Sequence, residues 1–306
     1  MLRTIALLAV LLAGTLTASA QTPEVIHVGV GPFEANAGAY YAQETGAFKR
    51  AGLDVDIQQF RGGSAILAAI AGGALQIGIG NPLPLANAHE HGLDYVYIAA
   101  GYLYDTANPP GTLLVVAANS PIRSAKDLDG KTIAGTAVPS IDTIAASTWI
   151  DANGGNSATL KFVEVGQAAM GEAVASGRVD AAVVSEPSLS VAIAAGQVRG
   201  LAPCYAAFGP RVLVSGWFAT NAWASSHPDV VRRFRVAINE GAAWAVKNPQ
   251  AAAQVLQKYL KLTIPLAHEV HARTLDPRFI QPVFDGAARY KILSKPIDAR
   301  EIIWKG

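Results

Sequence analysis

Four polar groups in this sequence stand where the chain passes from one regular segment into another. Ser64 follows the Gly62-Gly63 break and precedes an apolar helical face of Ile66, Leu67 and Ile70. Asn81-Pro82 closes an alternating segment in which Leu75, Ile77 and Ile79 are separated by Gln76 and Gly78. Ser140 opens a helical stretch after the small-residue loop Thr136-Ala137-Val138-Pro139, and Glu186-Pro187 closes the apolar run Val179 to Val184. Helix starts expose unpaired N–H groups and about half a positive charge, which suits holding an anionic or polar ligand. Bond-making chemistry has no comparable pattern. There is no G-x-S-x-G elbow and no H-E-x-x-H, and Cys204 stands alone. His89 and His91 are two apart and face opposite sides of a helix, while His268 and His271 lack further ligands, so no metal is expected. Gly29-x-Gly31 has Glu34 where a nucleotide loop needs its third glycine. No cofactor is expected.

The segments around these groups are written twice. Ala69-Ile70-Ala71-Gly72-Gly73-Ala74-Leu75-Gln76 is echoed about 104 residues later by Ala173-Val174-Ala175-Ser176-Gly177-Arg178-Val179-Asp180. Each copy continues as an apolar strand and ends in a polar residue and a proline, Asn81-Pro82 or Glu186-Pro187. The repeat predicts two similar α/β lobes, each offering a loop to a shared cleft.

The other elements fit that arrangement. Val25 to Val30 and Asp54 to Gln59 read as strands flanking a short helix, and Leu85 to His91 as a further helix. Tyr95 to Ala100 is a strand followed by Tyr102, Tyr104 and Asp105, aromatics that lean toward a cleft. Leu113 to Ala117 is apolar without alternation, as a buried central strand requires. Ser124 and Asp127 form an S-x-x-D helix start, and Pro228 with Asp229 begins a long helix running to Lys247. His27 reads as a satisfied strand histidine.

Composition narrows the class. The first 20 residues carry one early charge, Arg3, then an apolar run from Ile5 to Leu12 and Ala18-Ser19-Ala20, the layout of a secretory signal peptide. The run falls short of the roughly 20 apolar residues of a spanning helix. Lys plus Arg number 24 and Asp plus Glu 23, so losing Arg3 with the leader balances the charge. Nothing favours nucleic acid or an anionic membrane. A single cysteine leaves an exported chain reliant on its core.

Three segments together, Phe60 to Pro84, Ser124 to Ala134 and Pro228 to Phe234, resemble the periplasmic substrate-binding proteins of ABC importers. The nearest branch is the nitrate, sulfonate and taurine group, which shares its fold with the eukaryotic thiamin-pyrimidine synthases. The resemblance implies a type II-like two-lobe periplasmic-binding-protein fold with two crossover hinge strands, here Leu113–Ala117 and Val212–Ala219. Lobe one would comprise 21–114 and 217–306, and lobe two 115–216, after a leader at 1–20. The implied function is capture of a small polar organic solute, such as a sulfonate, a taurine-like zwitterion or a related nitrogen compound. Delivery would be to an inner-membrane ABC permease, by a periplasmic monomer. A subunit presenting its ligand to a sensor and a pyrimidine-synthase-like enzyme are the alternatives; the latter is recognised by a Cys-rich motif that one cysteine cannot supply. The ligand-facing positions that the resemblance implies are Phe33, Glu34, Asn36, Gly63, Ser64, Asn81 and Pro82 in lobe one. In lobe two they are Thr136, Ser140, Ile141 and Glu186, with Trp217 near the hinge. Glu34 and Glu186 would repel a bare anion and favour an ammonium or hydroxyl partner. Arg61 and Arg211 are the nearest cations in sequence.

Overall fold

A computed structural model describes residues 25–263 and 270–306. The leader at 1–20 and His268 therefore lie outside the described residues. The first third of the chain contains β1 (Val25–Val30), α1 (Gly38–Glu44), α2 (Ala47–Arg50), β2 (Asp54–Gln59), α3 (Gly63–Ala71), β3 (Ile77–Gly80), α4 (Pro82–Glu90), β4 (Tyr95–Ala100) and β5 (Leu103–Asp105). The middle contains β6 (Thr112–Ala117), β7 (Thr132–Gly135), α5 (Ile141–Ala152), β8 (Lys161–Glu164), α6 (Gln167–Ala175), β9 (Ala181–Ser185), α7 (Ser188–Ala194) and β10 (Val198–Ala202). The last part contains β11 (Arg211–Leu213), β12 (Gly216–Thr220), α8 (Asn221–Ser226), α9 (Pro228–Lys247), α10 (Pro249–Leu260) and α11 (Gln281–Arg289).

Two five-stranded sheets obey one rule. The first runs β2-β1-β3-β12-β4 and the second, read from its other edge, β8-β7-β9-β6-β10. Counting each sheet's helix-linked parallel run in chain order, β1-β2-β3 and β7-β8-β9, the first strand lies between the second and third and parallel to both, as crossover connections through helices require. In each, an antiparallel strand from outside that run, β12 or β6, separates its third strand from the next, β4 or β10.

The sequence repeat falls on equivalent elements, α3–β3 and α6–β9. Gly73 and Gly177 both end their helices with positive φ, 76° and 73°, which glycine adopts at no steric cost. The next matched pair does one job twice. The Gln76 Oε1 accepts from the His27 backbone N–H at 2.9 Å, and the Asp180 Oδ2 accepts from the Thr132 N–H at 2.9 Å. Each side chain thereby ties the entry of its third strand to the first strand of the same sheet.

The crossings between sheets follow the sequence expectation only in part, since Val212–Ala219 runs from the crossing into the first sheet but Leu113–Ala117 does not cross. Leu113–Ala117 lies wholly inside β6 of the second sheet, and Val212–Ala219 is split between β11 and β12. The chain crosses instead beside a two-stranded antiparallel ribbon, in which Leu103–Asp105 pairs with Arg211–Leu213. An unbroken apolar run marks a strand buried on both faces but does not say in which sheet it lies.

Three apolar clusters fix the layout. Helices α1, α2, α9 and α10 bury Tyr41, Phe48, Phe234 and Leu256 against the first sheet. Met170, Val174 and Leu189 of α6 and α7 cover one face of the second. The largest cluster joins both sheets through α3, α4, α5 and α11. Helix α11 packs on α4 and α5 alike. Its Gly286 sits so close to α5 that a β-carbon there would lie 2.7 Å from Ile144 Cγ2. Among the described residues no helix is long and apolar enough to cross a membrane.

Candidate ligand-binding site

In open α/β sheets, ligands bind beyond the carboxyl ends of the strands. Here those ends of both sheets converge on one cavity of about 140 Å³. From the first sheet come Gly31, Phe33, Ala35 and Asn36 after β1, Gly62 and Gly63 after β2, and Ile79, Gly80 and Asn81 at the end of β3. From the second come Thr136 after β7, Ile141 and Asp142 at the start of α5, Gln167 after β8, and Ser185 and Glu186 at the end of β9. Tyr102, Thr112, Tyr205, Val214 and Ser215 close the floor where the chain crosses.

The first wall is held by close packing. A β-carbon on Gly31 would stand 2.7 Å from Asn36 Nδ2 and 3.1 Å from Phe33 Cδ2, so this glycine lets both side chains fold over it. The buried Ser215 hydroxyl donates to the Ala35 carbonyl at 3.0 Å and accepts from the Tyr102 N–H at 3.2 Å, fixing the Phe33–Asn36 turn to the floor.

The second wall is a polar network. Asp142 is buried, 4% exposed, and its carboxyl accepts from the Thr136 hydroxyl at 2.7 Å, the Thr136 N–H at 3.3 Å and the Tyr205 hydroxyl at 2.7 Å. Burial, and then the neighbouring Asp142, push the Tyr205 hydroxyl well above the ordinary tyrosine range, so it remains a donor. Glu186 accepts from the Ser190 hydroxyl at 2.7 Å and the Ser190 N–H at 3.1 Å in the first turn of α7. The Thr112 and Ser185 hydroxyls pair at 2.8 Å, and the Ser185 N–H donates to Gln167 Oε1 at 3.3 Å.

Helices α3, α5 and α6 all begin at this cavity, but they are finished differently. Ser140 and Thr143 cap α5 reciprocally, at 3.3 and 2.9 Å, and Asp142 stands in its first turn. α3 and α6 start after Gly62 and Gly166 and carry no side-chain cap; in α6 the Ala169 N–H donates to the Gly166 carbonyl at 2.9 Å.

A family model described as "NMT1/THI5 like" matches residues 35–252. The chain belongs to the NMT1/THI5-like family. No curated protein matches it. Among solved structures it is similar to the periplasmic aliphatic sulphonate binding protein SsuA from Escherichia coli, at 20% identity and TM-score 0.75, covering 93% of each chain. It is also similar to the alkanesulfonate-binding protein SsuA from Xanthomonas axonopodis pv. citri bound to MOPS (19%, 0.76, covering 93% and 99%). The periplasmic nitrate-binding protein NrtA from Synechocystis PCC 6803 follows at 14% and 0.70, covering 92% and 85%. The fold of this NMT1/THI5-like chain is that of the periplasmic binding proteins.

Of the positions carried over from the family resemblance, the cavity wall brings together Phe33, Asn36, Gly63, Asn81, Thr136, Ile141 and Glu186. Five others lie off it. Glu34 is fully buried within a 3-10 turn (Glu34–Asn36). Ser64 is exposed one residue inside α3, whose cap position is Gly62. Pro82 is the first residue of α4, buried behind Asn81, whose side chain accepts from the Leu83 N–H at 3.1 Å. Ser140 spends its hydroxyl on its own helix. Trp217 is fully buried in the core behind the first sheet, edge-on to Phe234 at 5.4 Å and 3.4 Å from where a Gly38 β-carbon would be. A strand alternates its faces: Trp217 packs in the cluster under α1 and α9, and its neighbour Phe218 in the cluster on the other face of the sheet, so neither reaches the strand-end cavity.

Sequence reading missed Asp142, Gln167, Tyr205 and Ser215. The repeat held the signal for Gln167: if the start of α3 lines the cleft, so does the start of α6. Cys204 is buried with its thiol pushed up by that burial, which leaves it without nucleophilic character. Among the described residues no group of three or more His, Cys, Asp or Glu is placed to hold a metal.

Proposed function

We propose that this chain is an exported solute-binding protein that captures a small polar organic solute between its two sheets and delivers it to an ABC permease. The observation that carries this reading is the cavity itself. It lies where the strand ends of two sheets of matching strand arrangement meet, and it is walled by both and floored by the crossing segments. Its size suits a solute of few heavy atoms. In this reading residues 1–20 direct export and are removed. Lobe one is 21–114 with 217–306, lobe two is 115–216, and the protein acts as a monomer. The lobes close about the β5–β11 ribbon, and the closed form is what the permease reads.

Two measurements test it. N-terminal sequencing of the expressed protein is expected to begin at Gln21. A thermal-shift screen against sulfonates, amino-sulfonates, nitrate, small amines, aromatic acids and pyrimidines is expected to single out one class. A ligand at 100 times its dissociation constant adds about 2.7 kcal/mol of stability. A well-folded chain that responds to no member of the panel counts against capture of a small organic solute.

A further inference from the structure

Resting on that solute-capture reading, we infer that the solute carries an amine or other donor nitrogen, seated against Asp142 and Glu186 on the second sheet. Simple anions are discriminated against. Two carboxyl groups wall the cavity, and among the described residues no Lys, Arg or His lines it. The cations nearest in sequence do not offset them. Arg61, although next to Gly62, is exposed and outside the wall, and Arg211 lies over the Phe279 ring at 4.8 Å.

The hydrogen bonds decide what the carboxyl groups can still accept. Asp142 takes three donors from Thr136 and Tyr205, out of about four lone-pair directions on a carboxylate. One direction remains for a ligand donor. The Glu186 carboxyl is engaged by Ser190 alone among its described hydrogen bonds and keeps further acceptor capacity. A bare anion entering here would strip water from two acidic groups and offer them nothing, whereas a nitrogen donor pairs with both. Across the cavity, the uncapped start of α3 supplies donors for an acceptor or anionic group on the same solute. The cleft is thus polarised: carboxyl acceptors on the second sheet, backbone donors at the start of α3 on the first.

Calorimetric titration of the purified chain with matched probes tests this. The pairs are taurine against 2-hydroxyethanesulfonate and 4-aminopyrimidine against 4-methylpyrimidine, with sodium nitrate alongside. The amine member of at least one pair is expected to bind about tenfold or more tighter than its partner, the size of one charge-assisted hydrogen bond. Glu186→Gln, which keeps an acceptor for Ser190, is expected to close most of that gap, and Asp142→Asn provides a second variant at the other carboxyl. Binding of 2-hydroxyethanesulfonate or nitrate as tightly as the amine probes would overturn the inference while leaving solute capture intact. A folded chain that binds none of the probes also overturns it, and the broader screen above then decides separately whether capture itself stands.

Discussion

At the end of its third strand the first sheet presents Asn81, and at the matching point the second presents Glu186. Up to that position the two halves are built alike. They share strand order, the positive-φ glycines 73 and 177, and the side-chain tie from Gln76 or Asp180 to the first strand. Beyond it they diverge. The first wall is glycine, an aromatic ring and neutral amides, while the second carries two carboxyl groups and several hydroxyls. The lesson is one of constraint. Residues inside the repeated unit must satisfy packing and backbone hydrogen bonds, so the same solution recurs. Residues at strand ends answer mainly to what enters the cleft, so they can differ without disturbing the fold.

The largest expected effect separates core from cleft. Trp217→Ala should cost about 3–5 kcal/mol of stability by denaturant unfolding, as for other large core truncations. Solute affinity of the protein that remains folded should be unchanged. A variant of near-normal stability that loses binding would move Trp217 from the first sheet's core to the cavity.

A smaller effect tests the equivalence of the halves. Asp180→Ala should cost about 1–2 kcal/mol and Gln76→Ala about 0.5–1.5 kcal/mol, since each leaves one backbone N–H without its acceptor and the charged acceptor is the stronger. Chemical denaturation of both variants would show it. A loss at one site and none at the other would break the comparison. The smallest effect concerns the helix starts: Ser140→Ala should cost about 1 kcal/mol through the lost α5 cap, whereas Ser64→Ala, with no cap bond, should stay within about 0.5 kcal/mol.

Much of this was legible in the residues. Ala69–Gln76 and its echo located equivalent helix–strand units, and Asn81 and Glu186 marked strand ends that reach the cavity. Local pattern failed where the deciding partner was remote. Ser64 has the right type for a cap, but the extended backbone at Gly62 starts the helix two residues earlier. Asp142 reads as an ordinary acid in a helix's first turn until Tyr205, 63 residues away, donates to it. The ribbon that joins the sheets has strands of three residues each, too short to show a period. Trp217 and Glu34 were placed at the cleft by family position, and neither local sequence nor spacing could say which way the side chain turned.

The most direct test of solute capture between the two halves is a crystal structure of the chain with the strongest compound from the screen. The compound is expected within hydrogen-bonding distance of Asp142 or Glu186 on one side and of the Gly62–Gly63 backbone on the other. A compound that touches one sheet only, or that sits in the open groove of about 680 Å³ between Pro277 and Glu301, would contradict it.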